Sequence, residues 1–262
     1  MGIVRTLAGA LAGSGWELVR GASEKDLRDF ARLVAPVVTQ RGLIRLGPAG
    51  DGGYLVADDL EGIKACFSPG VSEIAGFELD LAKRGIPCFL ADHSVEAPPV
   101  AHDLFHFEKK FLGTREDDMF TTLDAWVARH APGESDLILQ MDIEGAEYAV
   151  LHSVSEALLQ RFRIIVIEFH DFDKIHSRPG LELMQLVFEK LMRFFDVVHI
   201  HPNNCGKSTR RGAFETPRLL EFTFLRKDRV TTREPARQFP HRLDGANVPG
   251  RADIVLPACW QA

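Results

Sequence analysis

Short apolar runs alternate with amphipathic segments along most of the chain. Seven runs have the length and content of buried strands: ACFSPG at 65, PCFLAD at 87, LFHFEKKFLG at 104, LILQMD at 137, RIIVIEFH at 163, FDVVHIH at 195 and EFTFLR at 221. Helical patterns separate most of these runs, which is typical of a largely parallel sheet flanked by helices. The last two runs need no helix between them, so the final strand is predicted to be antiparallel.

The segment before the first strand is predicted to be helical over residues 23–42. It begins with a serine cap and early acidic residues, and it closes on a glycine. Its apolar residues recur at helical spacing at Leu27, Phe30, Leu33 and Val37. The preceding stretch MGIVRTLAGALAGSGWELVRG is too short to span a bilayer, so we expect a peripheral helix and no membrane span.

Length and composition favour a single α/β domain, because 262 residues with 45% hydrophobic content suffice for one large core. A net charge of -6 argues against nucleic-acid binding, which needs an excess of Lys and Arg. The four cysteines are scattered and include no C-x-x-C pair, so they indicate neither a zinc site nor a disulfide framework. We therefore expect a cytoplasmic protein.

The ends of the first two strands carry a candidate cofactor site, because ligands bind beyond the carboxyl ends of parallel strands. The first strand turns sharply at Ser68 and Gly70. The second strand ends at Asp92, about 20 residues further on, where nucleotide-binding folds place a ribose-binding acid. The turn lacks G-x-G-x-x-G, so an adenosine-type cofactor with a compact zwitterion suits it better than a dinucleotide.

The fourth strand ends in three acids, in the stretch MDIEGAEYAVL. Asp142 follows the strand directly, and we expect its carboxylate to point into the cofactor crevice. Glu147 is expected to begin the next helix or to pack against it, since acids suit a first helical turn. Either role is open for Glu144.

These segments resemble the FkbM-type S-adenosylmethionine-dependent methyltransferases. MDIEGAEYAVL is close to the family pattern D-[VI]-E-G-A-E-x-x-V-L, and further matches are DGGYLVADDL, CFSPGVSEIAGFE, LADHSVEAPP, FHFEKKFLG, VIEFHDF and HIHPNNC. The resemblance implies the class I methyltransferase fold, a Rossmann-like and mostly parallel seven-stranded sheet with helices on both faces and an antiparallel last strand. It runs from about Gly42, which implies a helical extension over residues 1–41 and a methyltransferase domain over 42–262 whose tail wraps over it from about residue 230.

The resemblance also implies S-adenosylmethionine as the cofactor. The residues expected to hold it are Ser68, Gly70, Glu73, Asp92, His93 and Asp142. Where the family commonly has an acid two residues before the first glycine, this chain has Ser68. Glu73 or Glu78 on the following helix would compensate for that missing acid.

Two later strand ends carry pairs that share one strand face, Glu168 with His170 and His199 with His201. A hydroxyl is a weak nucleophile, so methyl transfer to it needs a general base or a metal. Glu168, His170 and His201 are therefore the candidate catalytic residues. Either Glu168 and His170 act as a metal-free base, or Asp142, Glu168 and His201 hold Mg²⁺ or Mn²⁺. We expect the metal-free base.

The resemblance implies O-methylation of a hydroxyl on a small molecule or a saccharide. Asn203 and Asn204 either bind hydroxyls of the acceptor or form a turn. The basic loop at residues 207–211 either meets an anionic substrate or lies in solvent. Two other functions remain open at this point: a metal-dependent hydrolase that uses the same acids and histidines, and a cofactor-binding module without catalysis.

Overall fold

The computed structural model describes residue 14 and residues 18–261. The peripheral helix predicted near the start of the chain lies largely outside the described residues. Within the described part, no helix has the length and apolar character needed to cross a membrane.

Six helices and fifteen strands make up the regular structure of the described residues. The helices are α1 (Glu24–Leu33), α2 (Gly76–Ala82), α3 (Leu123–His130), α4 (Glu147–Ser153), α5 (Glu156–Leu159) and α6 (Arg178–Met192). The strands are β1 (Val37–Val38), β2 (Leu43–Leu46), β3 (Tyr54–Ala57), β4 (Ala65–Pro69), β5 (Cys88–Ala91), β6 (Phe105–Glu108), β7 (Phe111–Gly113), β8 (Phe120–Thr122), β9 (Leu137–Met141), β10 (Phe162–Phe169), β11 (Phe195–Pro202), β12 (Ser208–Arg211), β13 (Phe214–Pro217), β14 (Leu220–Arg226) and β15 (Glu234–Pro235). Short 3₁₀ helices lie at Phe172–His176, Lys227–Arg229 and Ala258–Trp260.

The central sheet has seven strands in the order β11-β14-β10-β9-β4-β5-β6. Strands β10, β9, β4, β5 and β6 are parallel, whereas β14 pairs antiparallel with both β10 and β11. This confirms the predicted seven-stranded, mostly parallel sheet with an antiparallel last strand. The order is consistent with a Rossmann-like methyltransferase fold, and it brings the carboxyl ends of the parallel strands to one edge.

The sheet separates two hydrophobic cores. Phe67 and Leu139 belong to the larger core, which is covered by α1, α3, α4, α5 and α6. Cys66 and Ile138, one position away on the same strands, belong to the smaller core under α2 and the β2–β3 hairpin. Because successive strand residues point to opposite faces, the parity of a residue tells which core it faces.

Helix α1 is shorter than the sequence predicted. Its Ser23 cap is as expected, since the Ser23 hydroxyl accepts a hydrogen bond from Asp26 N at 3.2 Å. The helix ends at Leu33, and Val37 instead lies in β1, where it pairs with Pro235 of β15. Pro36 explains the early end, because the residue before a proline avoids the α conformation.

The run LFHFEKKFLG is two strands rather than one. The backbone N–H of Lys110 bonds back to the carbonyl of Glu108 at 2.8 Å, which turns the chain after β6. β7 then pairs with β8 instead of extending the central sheet. Strand β6 is at the sheet edge, so no outer neighbour holds the chain in line beyond it.

The two ends of the described chain meet on the larger core. Phe30 of α1 is buried and lies 6.2 Å from Trp260, ring centroid to ring centroid. Trp260 also lies 5.6 Å from Phe172. The division of the chain at residues 41 and 42 stays a prediction.

Candidate active site

The polar strand-end residues lie on one face of the sheet. Ser68 has the parity of Cys66, and Gln140 has the parity of Ile138, so both face the smaller core. Glu168 has the parity of Val166 in the same core. These polar strand-end side chains therefore lie on the face of the sheet that α2 and the β2–β3 hairpin cover.

A cavity of about 250 Å³ opens at the carboxyl ends of β4 and β9. It is bounded by the β2–β3 hairpin, the loop after β4 and the loop after β9. Its charged lining residues are Asp51, Glu73, Glu78, Asp142 and Glu144. None of the described residues that line it is basic. The cavity is therefore suited to a compact polar group that carries positive charge.

Ser68, Glu78 and Gln140 form a buried group at the floor of this cavity. The Ser68 hydroxyl lies 2.5 Å from Glu78 Oε1 and 2.7 Å from Gln140 Oε1. One hydroxyl proton cannot serve both oxygens, so the arrangement is satisfied when Glu78 is protonated and donates to Ser68. Burial raises the pKa of Glu78, in agreement with a protonated carboxyl. Of the two acids expected to compensate for Ser68, Glu78 reaches it, whereas Glu73 is exposed on the cavity rim.

Gly70 lines the cavity, and its conformation is fixed by strand packing. Its φ is +86°, and an added Cβ would lie 1.6 Å from the carbonyl oxygen of Asp142. From the sequence, Gly70 was expected to be one of the residues that hold the cofactor. The structure shows that the atom filling its Cβ position is the backbone of the neighbouring strand end.

Asp92 ends β5 and organises the loop after β4. One carboxylate oxygen accepts from Ser72 N at 3.0 Å, and the other accepts from the backbone N and the hydroxyl of Ser94 at 2.8 and 2.6 Å. His93 points elsewhere, with its ring 5.1 Å from the ring of Phe111. Asp92 thus borders the cavity through Ser72 rather than lining it, and His93 is not among the lining residues.

His170 is held at the end of β10 by Glu147. The Glu147 side chain has no exposed surface, and its Oε1 lies 3.0 Å from His170 Nδ1. The same oxygen accepts hydrogen bonds from Ile143 N and Gly145 N at 3.2 and 3.0 Å. Glu147 does begin α4 as expected. In addition, it fixes both the loop after β9 and the orientation of the imidazole.

The other nitrogen of His170 faces three acids. Nε2 lies 3.3 Å from Glu144 Oε2, 3.7 Å from Asp142 Oδ1 and 4.0 Å from Glu168 Oε1. Burial lowers the pKa of His170, but the hydrogen bond to Glu147 and the surrounding carboxylates outweigh it and raise the pKa to about 9. Burial and the neighbouring acids raise the pKa of Asp142 to about 7.

Glu168 connects this group to a second row of buried polar side chains, the second polar row, which includes Asn203, Glu221, His201 and Asn247. Its carboxylate accepts from Asn203 Nδ2 at 3.1 and 3.2 Å, and burial together with the charges of Asp142 and Glu221 raises its pKa. Burial and the charges of Asp142, Glu168 and Glu221 raise the pKa of Tyr54, which lines the cavity. The cavity and the strand-end acids thus form one continuous polar region.

His201 lies in the second polar row and not beside His170. In register, Glu168 is opposite Glu221, and Glu221 is opposite His201. His201 Nδ1 is 3.2 Å from Glu221 Oε2, and its Nε2 is 3.4 Å from Asp253 Oδ1. His199 is still further from the cavity and pairs with Asp244 at 2.9 Å. The structure therefore brings Asp142, Glu168 and His170 together, with His201 one strand removed.

Non-glycine residues with positive φ also mark this region. Among the described residues they are Ser72, Glu144 and Asp171. Ser72 and Glu144 line the cavity, and Asp171 follows His170 directly. Such conformations cost free energy and concentrate at functional sites.

Sequence reasoning missed Gln140, Glu221 and Tyr54. The first two had a usable signal, because a polar residue inside an apolar strand run needs a partner. Tyr54 reaches the cavity only because the β2–β3 hairpin folds over the sheet. Asn247 and Asp253 gave no signal, since they lie in the irregular tail. Asn247 Nδ2 donates to Glu221 at 2.6 Å.

The sheet order and the cavity at its carboxyl edge are those of a Rossmann-like protein. Residues 90–207 match the family model of the methyltransferase FkbM domain. This confirms the resemblance, over somewhat less than half of the chain, and supports a methyltransferase. The family implies S-adenosylmethionine. No curated protein matches the chain.

Gly70→Ala is expected to destabilise the protein far more than Gly133→Ala. Both glycines have positive φ, +86° and +97°, but no atom lies within 4 Å of a Cβ at Gly133. Gly133→Ala should cost about 1 kcal/mol of backbone strain, and Gly70→Ala about 3 kcal/mol or more. Urea unfolding of both variants measures the difference. Equal losses would show that the contact with Asp142 is relieved without cost.

The His201–Glu221 pair should make stability depend on pH. Burial lowers the pKa of His201, but the hydrogen bond to Glu221 and the charges of Asp244 and Asp253 outweigh it and raise the pKa to about 9. A raised folded-state pKa stabilises fully below the unfolded value of about 6.5, and this contribution is lost as pH rises through about 9. The unfolding free energy of the natural chain relative to His201→Gln should fall by about 3 kcal/mol between pH 6 and 9.5. Denaturant titrations at both pH values test this, and a constant difference contradicts it.

Proposed function

We propose that the protein is an S-adenosylmethionine-dependent O-methyltransferase that acts on a hydroxyl of a small molecule or saccharide. One observation carries the proposal beyond the family match. Asp142 lines the acidic cavity, and it also lies 3.7 Å from His170 in the strand-end group. A site for a methyl donor and a group able to activate a hydroxyl therefore share a residue.

The cavity fits the charged end of the cofactor. Its lining offers carboxylates and no basic side chain among the described residues, which suits a sulfonium and an ammonium group. We assign Glu78, with Ser68 and Gln140, to the amino group, and Glu73 to the rim of the same subsite. Asp92 is assigned to the ribose, since its Oδ2 accepts only from Ser72 N and keeps a free lone pair. His93, beside Asp92, is kept as a more distant cofactor residue.

When bound, S-adenosylmethionine would supply a methyl group, and the electron pair of the broken S–C bond would stay on sulfur. The acceptor hydroxyl loses its proton as the C–O bond forms. The chain's part is to hold that hydroxyl in line and to favour its deprotonation. We assign these tasks to Glu168 and His170, which adjoin Asp142. His201 acts on them indirectly, as a positioning residue, through Glu221.

The second polar row is proposed to line the acceptor site. Asn203, Glu168, Glu221 and Asn247 present amides and carboxylates in a row, and the Oδ1 atom of Asn247 is buried without a partner among the described residues. Such groups suit an acceptor with several hydroxyls, for example a saccharide. Asn204 has a structural role instead, because its side chain bonds the backbone of the tail, including Val248 N at 2.8 Å.

The basic loop and the cysteines give little information about the identity of the acceptor. The basic loop forms β12 and its turn, where Arg210 pairs with Glu215 and Arg211 donates to the carbonyl of Ala22. All four cysteines are free thiols, which supports the proposed cytoplasmic location.

Cofactor identity is tested by thermal unfolding with S-adenosylhomocysteine, S-adenosylmethionine and NAD. Both methionine-derived ligands should raise the melting temperature, because ligand at 100 times its Kd adds about 2.7 kcal/mol, whereas NAD should not. Incubation with labelled S-adenosylmethionine and a panel of saccharides should then give an alkali-stable methyl ether. A melting shift without transfer to any hydroxyl compound would favour a binding module.

Glu78→Gln tests the acid that replaces the missing one at position 68. The variant keeps the size and the hydrogen bonds of a protonated Glu78, so the apo fold should persist. Its affinity for S-adenosylhomocysteine should fall about 10- to 100-fold, because glutamine cannot ionise when the ammonium group binds and so cannot become its buried anionic partner. Glu73→Gln removes the same charge from the exposed rim and should change the affinity less than about threefold. Calorimetry on both variants decides, and an equal response would reject the assignment.

A further inference from the structure

We propose that the protein contains a site for one divalent cation of the Mg²⁺ or Mn²⁺ type around Nε2 of His170. The proposed ligands are this nitrogen and carboxylate oxygens of Asp142, Glu144 and Glu168. The set differs from the one considered from sequence, because His170 takes the place of His201 and Glu144 is added. The binding of the ion stands on geometry alone, and only its role in methyl transfer rests on the proposed function.

The first support is distance. The three oxygens lie 3.3, 3.7 and 4.0 Å from Nε2, longer than a normal hydrogen bond. Ligands about 2.1 Å from an octahedral ion lie about 3.0 Å apart when adjacent and about 4.2 Å apart when opposite. The three distances from Nε2 fall in this range.

The second support is a pair of buried oxygens without partners among the described residues. Asp142 Oδ1, one of the atoms facing Nε2, accepts no hydrogen bond. Glu147 Oε2 likewise has no partner, although the Glu147 side chain is fully buried. Buried carboxylate oxygens are normally paired, so the free Asp142 Oδ1, which faces Nε2, supports a cation at this position.

The third support is uncompensated charge. In the described part of the chain, no lysine or arginine forms an ion pair with the four acids of this group, Asp142, Glu144, Glu147 and Glu168. A single imidazole is their only charged contact. A divalent ion removes this imbalance, and one nitrogen with several oxygens is a ligand set that suits Mn²⁺ or Mg²⁺.

Glu147 holds the imidazole rather than the ion. The ligand atoms of Asp142, Glu147 and His170 lie within 4.8 Å of one another, so Glu147 is also near enough to bind. Its Oε1, however, already serves Ile143 N, Gly145 N and His170 Nδ1. A carboxylate on the second ring nitrogen of a ligating histidine fixes the tautomer and aims the free lone pair at the metal.

The proposed ion would lie beside the cofactor cavity, where it could take part in methyl transfer. Asp142 belongs to the cavity proposed for the cofactor, so an acceptor oxygen bound to the ion would lie beside the methyl donor. A divalent ion lowers the pKa of a bound hydroxyl and orients it. We therefore propose the ion in place of the metal-free base expected from sequence, because Glu147 occupies Nδ1 of His170 and the ion would take Nε2.

The test measures Mn²⁺ binding to the full chain after chelation and dialysis, by the loss of the free-ion electron paramagnetic resonance signal. One equivalent should bind, with Mg²⁺ competing. Asp142→Asn and His170→Gln should each raise the Kd at least tenfold, and Glu147→Gln about 10- to 100-fold. His199→Gln is the matched control, because His199 pairs with Asp244 outside this group, and it should keep the Kd of the natural chain. Circular dichroism and the melting temperature confirm that each variant is folded.

Absence of Mn²⁺ binding at 1 mM would overturn the inference, as would loss of binding in His199→Gln but not in His170→Gln. The proposed function fails separately. Methyl transfer that persists in excess chelator rejects the ion and keeps the methyltransferase. Stoichiometric Mn²⁺ binding without any response to S-adenosylhomocysteine keeps the ion and rejects the cofactor.

Discussion

A single carboxylate oxygen, Glu147 Oε1, sets the geometry on which the candidate active site depends. It bonds the backbone N–H groups of Ile143 and Gly145 and contacts His170 Nδ1, and so ties the end of β9 to the end of β10. This bond shapes the loop between Asp142 and Glu147, where Glu144 takes a φ of 56° and Gly145 a φ of 101°. Both Asp142 and His170 owe their orientation to it. The helix that Glu147 begins is therefore part of the site as well as of the core.

The strands and their order follow from the sequence because burial on two faces leaves a strong local pattern. The run at 163–170 is apolar on both parities until Glu168, and the structure places it in the middle of the sheet. Where the outcome depended on neighbours, prediction failed. Pro36 ended α1 early, and β6, which has no outer neighbour, did not continue into β7.

The sequence predicted several residues of the candidate site, but it did not predict which of them contact one another. Strand-end position marked Asp142, Glu168 and His170, because the carboxyl ends of parallel strands meet at one edge. The choice of Glu78 over Glu73 depends on where α2 begins, because the helix starts at Gly76 and Glu73 lies in the loop before it. The separation of His201 from His170 depends on β14 lying between β11 and β10. Neither fact is local in the sequence, so spacing alone could not supply it.

Acids at the amino edge of the sheet pair with arginine, whereas the described acids near His170 at the carboxyl edge do not. At the amino edge, Asp136 lies 2.6 Å from Arg163 and 2.7 Å from Arg226. Burial raises the pKa of Asp136, but hydrogen bonds from the two arginines outweigh it and hold the pKa below its usual range. Asp59 is matched in the same way by Arg229, at 2.7 Å.

At the carboxyl edge, no arginine among the described residues pairs with Asp142, and burial raises the pKa of Asp142 to about 7. The chain has the means to neutralise buried carboxylates with its own side chains, and it does so where the acids only support the fold. Leaving the acids near His170 without arginine or lysine sacrifices stability at that edge. That cost is understandable if a positively charged ligand completes the site. The sulfonium and ammonium groups proposed for the cavity and the divalent ion proposed at His170 meet this requirement on adjacent sides of Asp142.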